Sequence, residues 1–231
     1  MIRSLKKCSC TTCKIKSIAI SILSDKEICE LCDNSIQISF LKGEKIFKQG
    51  AFTTNIVFIK SGIVKIHLTG PLNKEEILKI DKGPIFVGLP SVFADKIHKY
   101  SVTALTQTEA CFINFATFKE FILHNGKFAH EILIIISRDT IEHFNRCVNK
   151  TQKQLTASTA ETLLYFSNHI FHSDTINIPL TRTEFGAYIG TTRETITRII
   201  HDFTDDNLIE NNGKNIIIKN KKILEKISKT G

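Results

Sequence analysis

No apolar run in this 231-residue chain is long enough to cross a bilayer: the most hydrophobic stretch, Ile132 to Ile136, falls far short of the ~20 residues a spanning helix needs. A secretory signal is missing as well, because Lys14 and Lys16 interrupt any apolar stretch near the N-terminus. These absences set the expectation of a soluble, cytoplasmic protein with no membrane partner. Seven cysteines, an odd number without a signal, argue against a disulfide framework and for reduced thiols or metal ligands. No two of the eight histidines stand at i, i+4, so a haem site has no support in their spacing. The 42% hydrophobic and 23% charged composition excludes a wholly disordered chain and a collagen-like repeat.

Acidic residues are absent from the first 24 positions, where Arg3, Lys6, Lys7, Lys14 and Lys16 precede Asp25. The whole chain carries a formal charge of +8, which suggests a polyanionic partner. From Thr156 onward, however, nine basic residues balance nine acidic ones. The surplus is therefore an N-terminal feature.

What is present divides by period. Ser24 with Glu27 forms a capping box for a short helix. Between Ser35 and Asn114, alternating runs such as Ile36/Ile38/Phe40, Ile56/Phe58, Val64/Ile66/Leu68 and Val102/Ala104 are separated by glycine turns. About eight strands at this spacing predict a barrel or sandwich. Phe118, Phe121 and Ile122 then fit a short helix, Asn125-Gly126 breaks it, and Lys127 to about Leu155 predicts one long helix. Ile132 to Ile136 is apolar all round, so both faces of that helix are expected to be buried, the second against its copy in a twofold dimer. A helix over Ala160–Ile170 follows. Thr181 caps Arg182 to Ile189, Gly190 ends that helix, and Thr192 opens another to about Phe203. Ile209-Glu210, Asn211-Asn212-Gly213 and Ile216 to Ile218 read as a hairpin, completing a winged helix-turn-helix that would bind double-stranded DNA.

On the second of these helices Arg193, Glu194, Thr197 and Arg198 cluster at 100° per residue, with Ile196, Ile199 and Ile200 turned inward. Arginine pairs bidentately with guanine and glutamate accepts from cytosine, so this face has the chemistry of a G·C reader in the major groove. The run Leu180-Thr-Arg-Thr-Glu-Phe-Gly-Ala-Tyr-Ile-Gly-Thr-Thr-Arg-Glu-Thr-Ile-Thr-Arg-Ile-Ile200 resembles the helix-turn-helix of the Crp/Fnr transcription regulators. Lys42-Gly-Glu-Lys-Ile-Phe-Lys-Gln-Gly50 and Ser61-Gly-Ile-Val-Lys65 resemble the same family's cyclic-nucleotide-type β-roll.

The resemblance implies an α+β architecture: a cysteine-rich segment 1–20, a β-roll (jelly roll) sensor domain 21–125, a dimerisation helix 126–155 and a winged helix-turn-helix 156–231. It further implies a homodimer on a palindromic operator with RNA polymerase as a partner. Arg193, Glu194 and Arg198 would read bases, with Arg182 and Thr192 on phosphates. Thr197 is nearer the serine of the anaerobic branch than the small residue of the cyclic-AMP branch, so the operator sequence stays open.

In the cyclic-nucleotide binders a Glu holds the ribose and an Arg the phosphate. Leu89 and Tyr100 stand at those places here, which argues against cyclic AMP because a phosphodiester loses its charge-assisted partner. Cys8-x-Cys10-x-x-Cys13 is a tight soft-ligand cluster among five cations that favour thiolates, suited to iron–sulfur or zinc. The oxygen-sensing branch adds one cysteine on a later strand, matched by Cys111. A [4Fe–4S] cluster on Cys8, Cys10, Cys13 and Cys111 is the leading expectation, although the branch's remaining ligand position is Ala19 here and Cys8 must replace it. Zinc, direct thiol redox, and no metal at all remain the alternatives, as does a small molecule or haem in the β-roll. Cys29 and Cys32 are expected as small hydrophobes on one helix face and Cys147 as packed on the long helix. Without a base or substrate pocket beside a cysteine, the chain reads as non-enzymatic.

Overall fold

Each alternating run becomes a strand with one face turned into a core. The computed structural model describes residues 6–7 and 17–229. In chain order the first elements are β1 (Lys6–Lys7), α1 (Ile18–Ile22), α2 (Asp25–Asp33), β2 (Ser35–Phe40), β3 (Lys45–Phe47), β4 (Asn55–Ser61) and β5 (Ile63–Thr69). They are followed by β6 (Glu75–Lys82), β7 (Ile85–Val87), α3 (Leu89–Ala94), β8 (Ser101–Ala104), β9 (Thr108–Asn114), α4 (Phe115–His124) and the long α5 (Gly126–Gln152). Two antiparallel sheets result, ordered β1-β2-β9-β4-β7 and β3-β8-β5-β6.

The first sheet is apolar on both faces, for different reasons. Phe40, Val57, Ile59 and Ala110 meet Val64, Val102 and Ala104 of the second sheet. Ile56, Phe58, Cys111 and Ile113, offset by one residue, point the other way and are covered by Ala19, Ile28, Leu31, Phe118, Phe121, Phe128 and Ile132 from the helices. Each fully buried side chain of this size contributes roughly 1.5–3 kcal/mol before entropy is counted. Gly62 sits at φ +98 in the turn between β4 and β5, where a Cβ would fall 2.6 Å from the Gln107 carbonyl oxygen. Only glycine fits that approach.

The second sheet breaks the apolar-in, polar-out pattern. Lys65 and His67 are both buried on β5, and Glu75 reaches back across the hairpin, 2.6 Å from the Lys65 Nζ and 2.8 Å from the His67 Nδ1. His67 Nε2 meets the Thr103 hydroxyl at 2.8 Å. The Glu75 carboxylate gives the Lys65 ammonium a charge partner and the His67 ring a polar neighbour, which is what makes their burial tolerable.

The chain forms two compact units, Met1–Ile141 and Glu142–Gly231, and the boundary between them falls inside α5. The second contains α6 (Leu155–Tyr165), β10 (Thr175–Asn177), α7 (Arg182–Ile189), α8 (Arg193–Asp205), β11 (Ile209–Asn212), β12 (Asn215–Ile218) and α9 (Lys221–Ile227). Its core is Leu163, Phe166, Ile170, Phe185, Ile196 and Ile200.

Several expectations are corrected. The long helix stops at Gln152, not Leu155, because Gln154 turns extended and caps α6. That reversal brings Glu161 back to Lys153 and Asn149, at 3.0 and 3.2 Å. The helix expected over Ala160–Ile170 is α6 followed by a π-helical turn at Phe166–Phe171. The hairpin gains a third strand, β10, paired with β12. Ile18–Ile22 forms a helix, capped by Ser17, at the end of the segment expected only as cysteine-rich. Cys32 packs, half-buried, against the core below α2, whereas Cys29 and Cys147 are exposed and not packed as expected. Within the single chain Ile132, Ile135 and Ile136 pack on the first unit's core while Leu133 is exposed, so the face expected to meet a second copy is the open one.

Candidate nucleic-acid interface and thiol site

Helix α7 starts at a reciprocal capping box: the Thr181 hydroxyl accepts from the Glu184 N–H at 3.1 Å, and the Glu184 carboxylate accepts from the Thr181 N–H at 2.9 Å. It ends at Gly190, in the left-handed region. A Cβ on Gly186 would lie 2.9 Å from the carbonyl oxygens of Thr191 and Thr192, so this glycine is what lets the turn fold against α7. Thr192 then caps α8, its hydroxyl accepting from the Thr195 N–H at 3.3 Å.

On α8, Ile196, Ile199, Ile200 and Phe203 are buried. Arg193, Glu194, Thr197 and Arg198 are exposed on the other face, as their spacing required. The Glu194 carboxyl is held below the usual carboxylate range by its own backbone N–H and by the Thr192 hydroxyl, so it stays an ionised acceptor. Thr197 spends its hydroxyl proton on the Arg193 carbonyl at 2.7 Å and keeps a methyl and lone pairs for contact. Arg182 is partly buried. One terminal nitrogen donates to the Asn211 side chain and the Gly213 carbonyl, both at 2.8 Å, fastening the β11–β12 wing to the start of α7. Sequence reasoning missed Asn211 and Gly213 in this role; the only signal was a turn sequence that says nothing of what reaches it.

In the roll, Leu89 is buried and Tyr100 accepts a hydrogen bond from the Gly88 N–H at 2.9 Å. Burial pushes the Tyr100 phenol up to about 12. His98 is 4% exposed, stacks on Phe47 with centroids 3.8 Å apart, and its Nδ1 has no hydrogen-bond partner among the described residues. Burial lowers its pKa from the ordinary histidine value. An unfolded histidine titrates near ~6.5, so below that pH the unfolded chain binds the proton that the folded chain refuses. Stability is then complete above the unfolded value and is lost as pH falls towards the folded one. Urea midpoints measured from pH 7.5 to 5.5 should fall less steeply for His98→Phe than for wild type; parallel curves would remove His98 from the acid response.

Cys8, Cys10 and Cys13 lie outside the described residues. Cys111 is buried on β9, on the sheet face covered by α1 and α2. Lys6 of β1 pairs with Gln37 of β2, and Gln37 pairs with Cys111. Two inter-strand spacings, roughly 10 Å, therefore separate the backbones of Lys6 and Cys111, and Cys8 lies only two residues from Lys6 along the chain, a reach of about 7 Å. The donor chemistry fits a thiolate-bound iron centre, since Cys111 offers one soft ligand on a rigid strand and the remaining three candidate ligands are also cysteines. Among the described residues no group of three or more His, Cys, Asp or Glu side chains could hold a metal ion by itself. Also among them, no helix is long and apolar enough to cross a membrane.

A β-roll joined by a long helix to a winged helix-turn-helix defines a class: transcription regulators with a sensor domain of cyclic-nucleotide-binding type. Residues 37–125 match the cyclic nucleotide-binding domain and residues 159–227 the Crp-like helix-turn-helix domain. The chain is 22% identical over 223 residues to the transcriptional activator protein FnrA of Stutzerimonas stutzeri, covering 94% of this chain and 91% of that one. It is 25% identical over 215 residues to electron transport regulator A of Shewanella oneidensis, covering 90% and 86%. FixK2 from Bradyrhizobium japonicum shares the fold, with a TM-score of 0.78 at 15% identity over 85% of this chain and 98% of that one. The chain belongs to the Crp/Fnr family. It is a DNA-binding transcription regulator and not an enzyme, and regulators of this family act as dimers.

Proposed function

We propose that the protein binds a palindromic operator as a homodimer and reports oxygen, nitric oxide or redox state through a [4Fe–4S] cluster held by Cys8, Cys10, Cys13 and Cys111. DNA reading rests on one observation above all, the exposed Arg193, Glu194, Thr197 and Arg198 face of a helix whose opposite face is buried isoleucine. Arg193, Glu194 and Arg198 address base edges in the major groove, Thr197 lies among them, and Thr192 and Arg182 stand beside phosphates. RNA polymerase is the partner such a regulator acts on.

Dimerisation is assigned to α5. Ile141, Phe144 and Val148 are 60%, 62% and 51% exposed and recur at the 3–4 spacing of a two-stranded seam. A second copy of the same helix is the surface that such a stripe complements.

Sensing draws support from the β1–β2–β9 register, in which Lys6 stands two strands from Cys111. When bound, a cluster of this kind supplies an oxygen-labile redox centre. Cys111 would hold such a group from β9, on the sheet face that α1 and α2 cover. Tyr100, occupying the Gly88 N–H, leaves that loop donor spent and argues against a cyclic nucleotide. The second reading, a small molecule or haem in the roll, draws on the unpartnered Nδ1 of buried His98.

Anaerobic purification tests the proposal. Brown protein with about four iron and four sulfide per chain is expected, reduced to background in Cys111→Ser with the helical circular dichroism unchanged. Iron-free, colourless wild type overturns the cluster and leaves the ligand-in-roll reading.

A further inference from the structure

From Ile141 to its end at Gln152, and on to Lys153 just beyond, α5 carries two stripes on opposite faces. Arg146, Asn149, Lys150 and Lys153 recur at i, i+3, i+4 and i+7, whereas Ile141, Phe144 and Val148 lie almost half a turn away. The first stripe is engaged within the second unit. The Arg146 guanidinium lies 4.2 Å from the centroid of the Tyr188 ring and donates to the Tyr188 hydroxyl. Tyr188 is buried on α7, beside Phe166. The Lys150 stem lies against Gly190, its Cε 3.1 Å from where a Cβ would project. Asn149 and Lys153 both reach Glu161 of α6.

Upstream the helix is held differently. Asp139 pairs with Lys79 of β6 at 3.0 Å, which ties it to the first unit. Ser137, Arg138, Thr140 and Ile141 are exposed. The boundary between the compact units falls here, after Ile141.

We infer that Arg146 to Gln152 moves as part of the DNA-binding unit, with Arg146 as its positioning residue, and that flexing occurs between Asp139 and Arg146, not at the Lys153–Gln154 break. Because the seam and the clamp sit on opposite faces of one helix, any change in how two copies meet passes through Arg146 and Tyr188 to the spacing of the two α8 helices. This rests on the dimeric operator reading above, and two measurements separate the failure of one from the failure of the other.

Amide exchange on the full, DNA-free chain needs no operator. Residues 140–145 are expected to exchange faster than residues 146–152, and Arg146→Ala to raise the second group to the rate of the first. Equal protection of both groups in wild type overturns the inference. The second measurement uses a palindromic duplex that wild type selects from a randomised pool. Arg146→Ala should bind it about tenfold more weakly, tolerate one base pair more or fewer between half-sites, and bind a single half-site as wild type does. Tyr188→Phe, which keeps the ring, should shift in the same direction by less. Equal losses on palindrome and single half-site would mean simple damage to the domain and would also overturn the inference. If wild type selects no palindrome, the operator reading falls and the exchange experiment alone decides the hinge.

Discussion

Arg198→Ala is expected to weaken operator binding by ~1–3 kcal/mol per half-site, hence ~30-fold or more over a twofold operator, and to lose discrimination at one base pair of each half-site. The physical reason is the placement of the side chain. Arg198 is exposed one turn after Arg193 on a face whose reverse is fixed by Ile196, Ile199 and Ile200. Its planar fork is therefore presented from a rigid support, and truncation leaves a guanine edge without its donors. Thr192→Ala should behave differently, costing about 1 kcal/mol through the lost cap of α8 and lowering affinity for all sequences alike. Affinities on a panel of single-base operator variants separate the two patterns. An Arg198→Ala profile proportional to wild type at every position would show that this residue does not read bases.

Phe144→Glu should convert a dimer to a folded monomer. Phe144 is exposed in the single chain, so the substitution costs that chain little. In the dimer it removes two buried aromatic side chains, worth roughly 1.5–3 kcal/mol each, and sets two carboxylates against each other across a twofold axis. A dimer dissociation constant higher by about a thousandfold follows, with the melting profile of dilute protein unchanged and palindrome binding reduced to that of one half-site. Sedimentation over a concentration series measures this. A variant that stays dimeric at wild-type concentrations would move the interface away from the Ile141, Phe144 and Val148 stripe.

Local rules were legible wherever the period was long and the caps were side chains. Ser24 with Glu27 forms the box its spacing implied and Thr181 caps α7 as expected, with Glu184 completing a second box, and the inward isoleucines of α8 follow from 100° per residue alone. Short or displaced features were not legible. β10 has three residues, too few to show alternation, and becomes a strand because Ile176 finds Ile216 on β12. Lys65 and His67 look like a solvent-facing pair; a glutamate ten residues from Lys65 makes their burial possible. Arg182 reads from sequence as a phosphate contact, and its engagement with Asn211 and Gly213 depends on the wing folding back across 29 residues or more. Helical spacing places Cys29 and Cys32 one turn apart, but only Cys32 meets the core, and Cys29 and Cys147 stay exposed because no neighbouring element covers them in the single chain.

By itself, then, the sequence determined the order of the architecture: alternating strands, a long helix and a capped pair of helices with a polar reading face. Those features are set by interactions within a few residues, where spacing and geometry are the same thing. Only the tertiary structure decided that Cys111 lies in register with the strand leading to Cys8, that Tyr100 satisfies Gly88, and that α5 is fastened to α7 by Arg146 across 42 residues. These are pairings between distant segments, settled by which apolar faces pack together, and a one-residue change of register would exchange every partner involved.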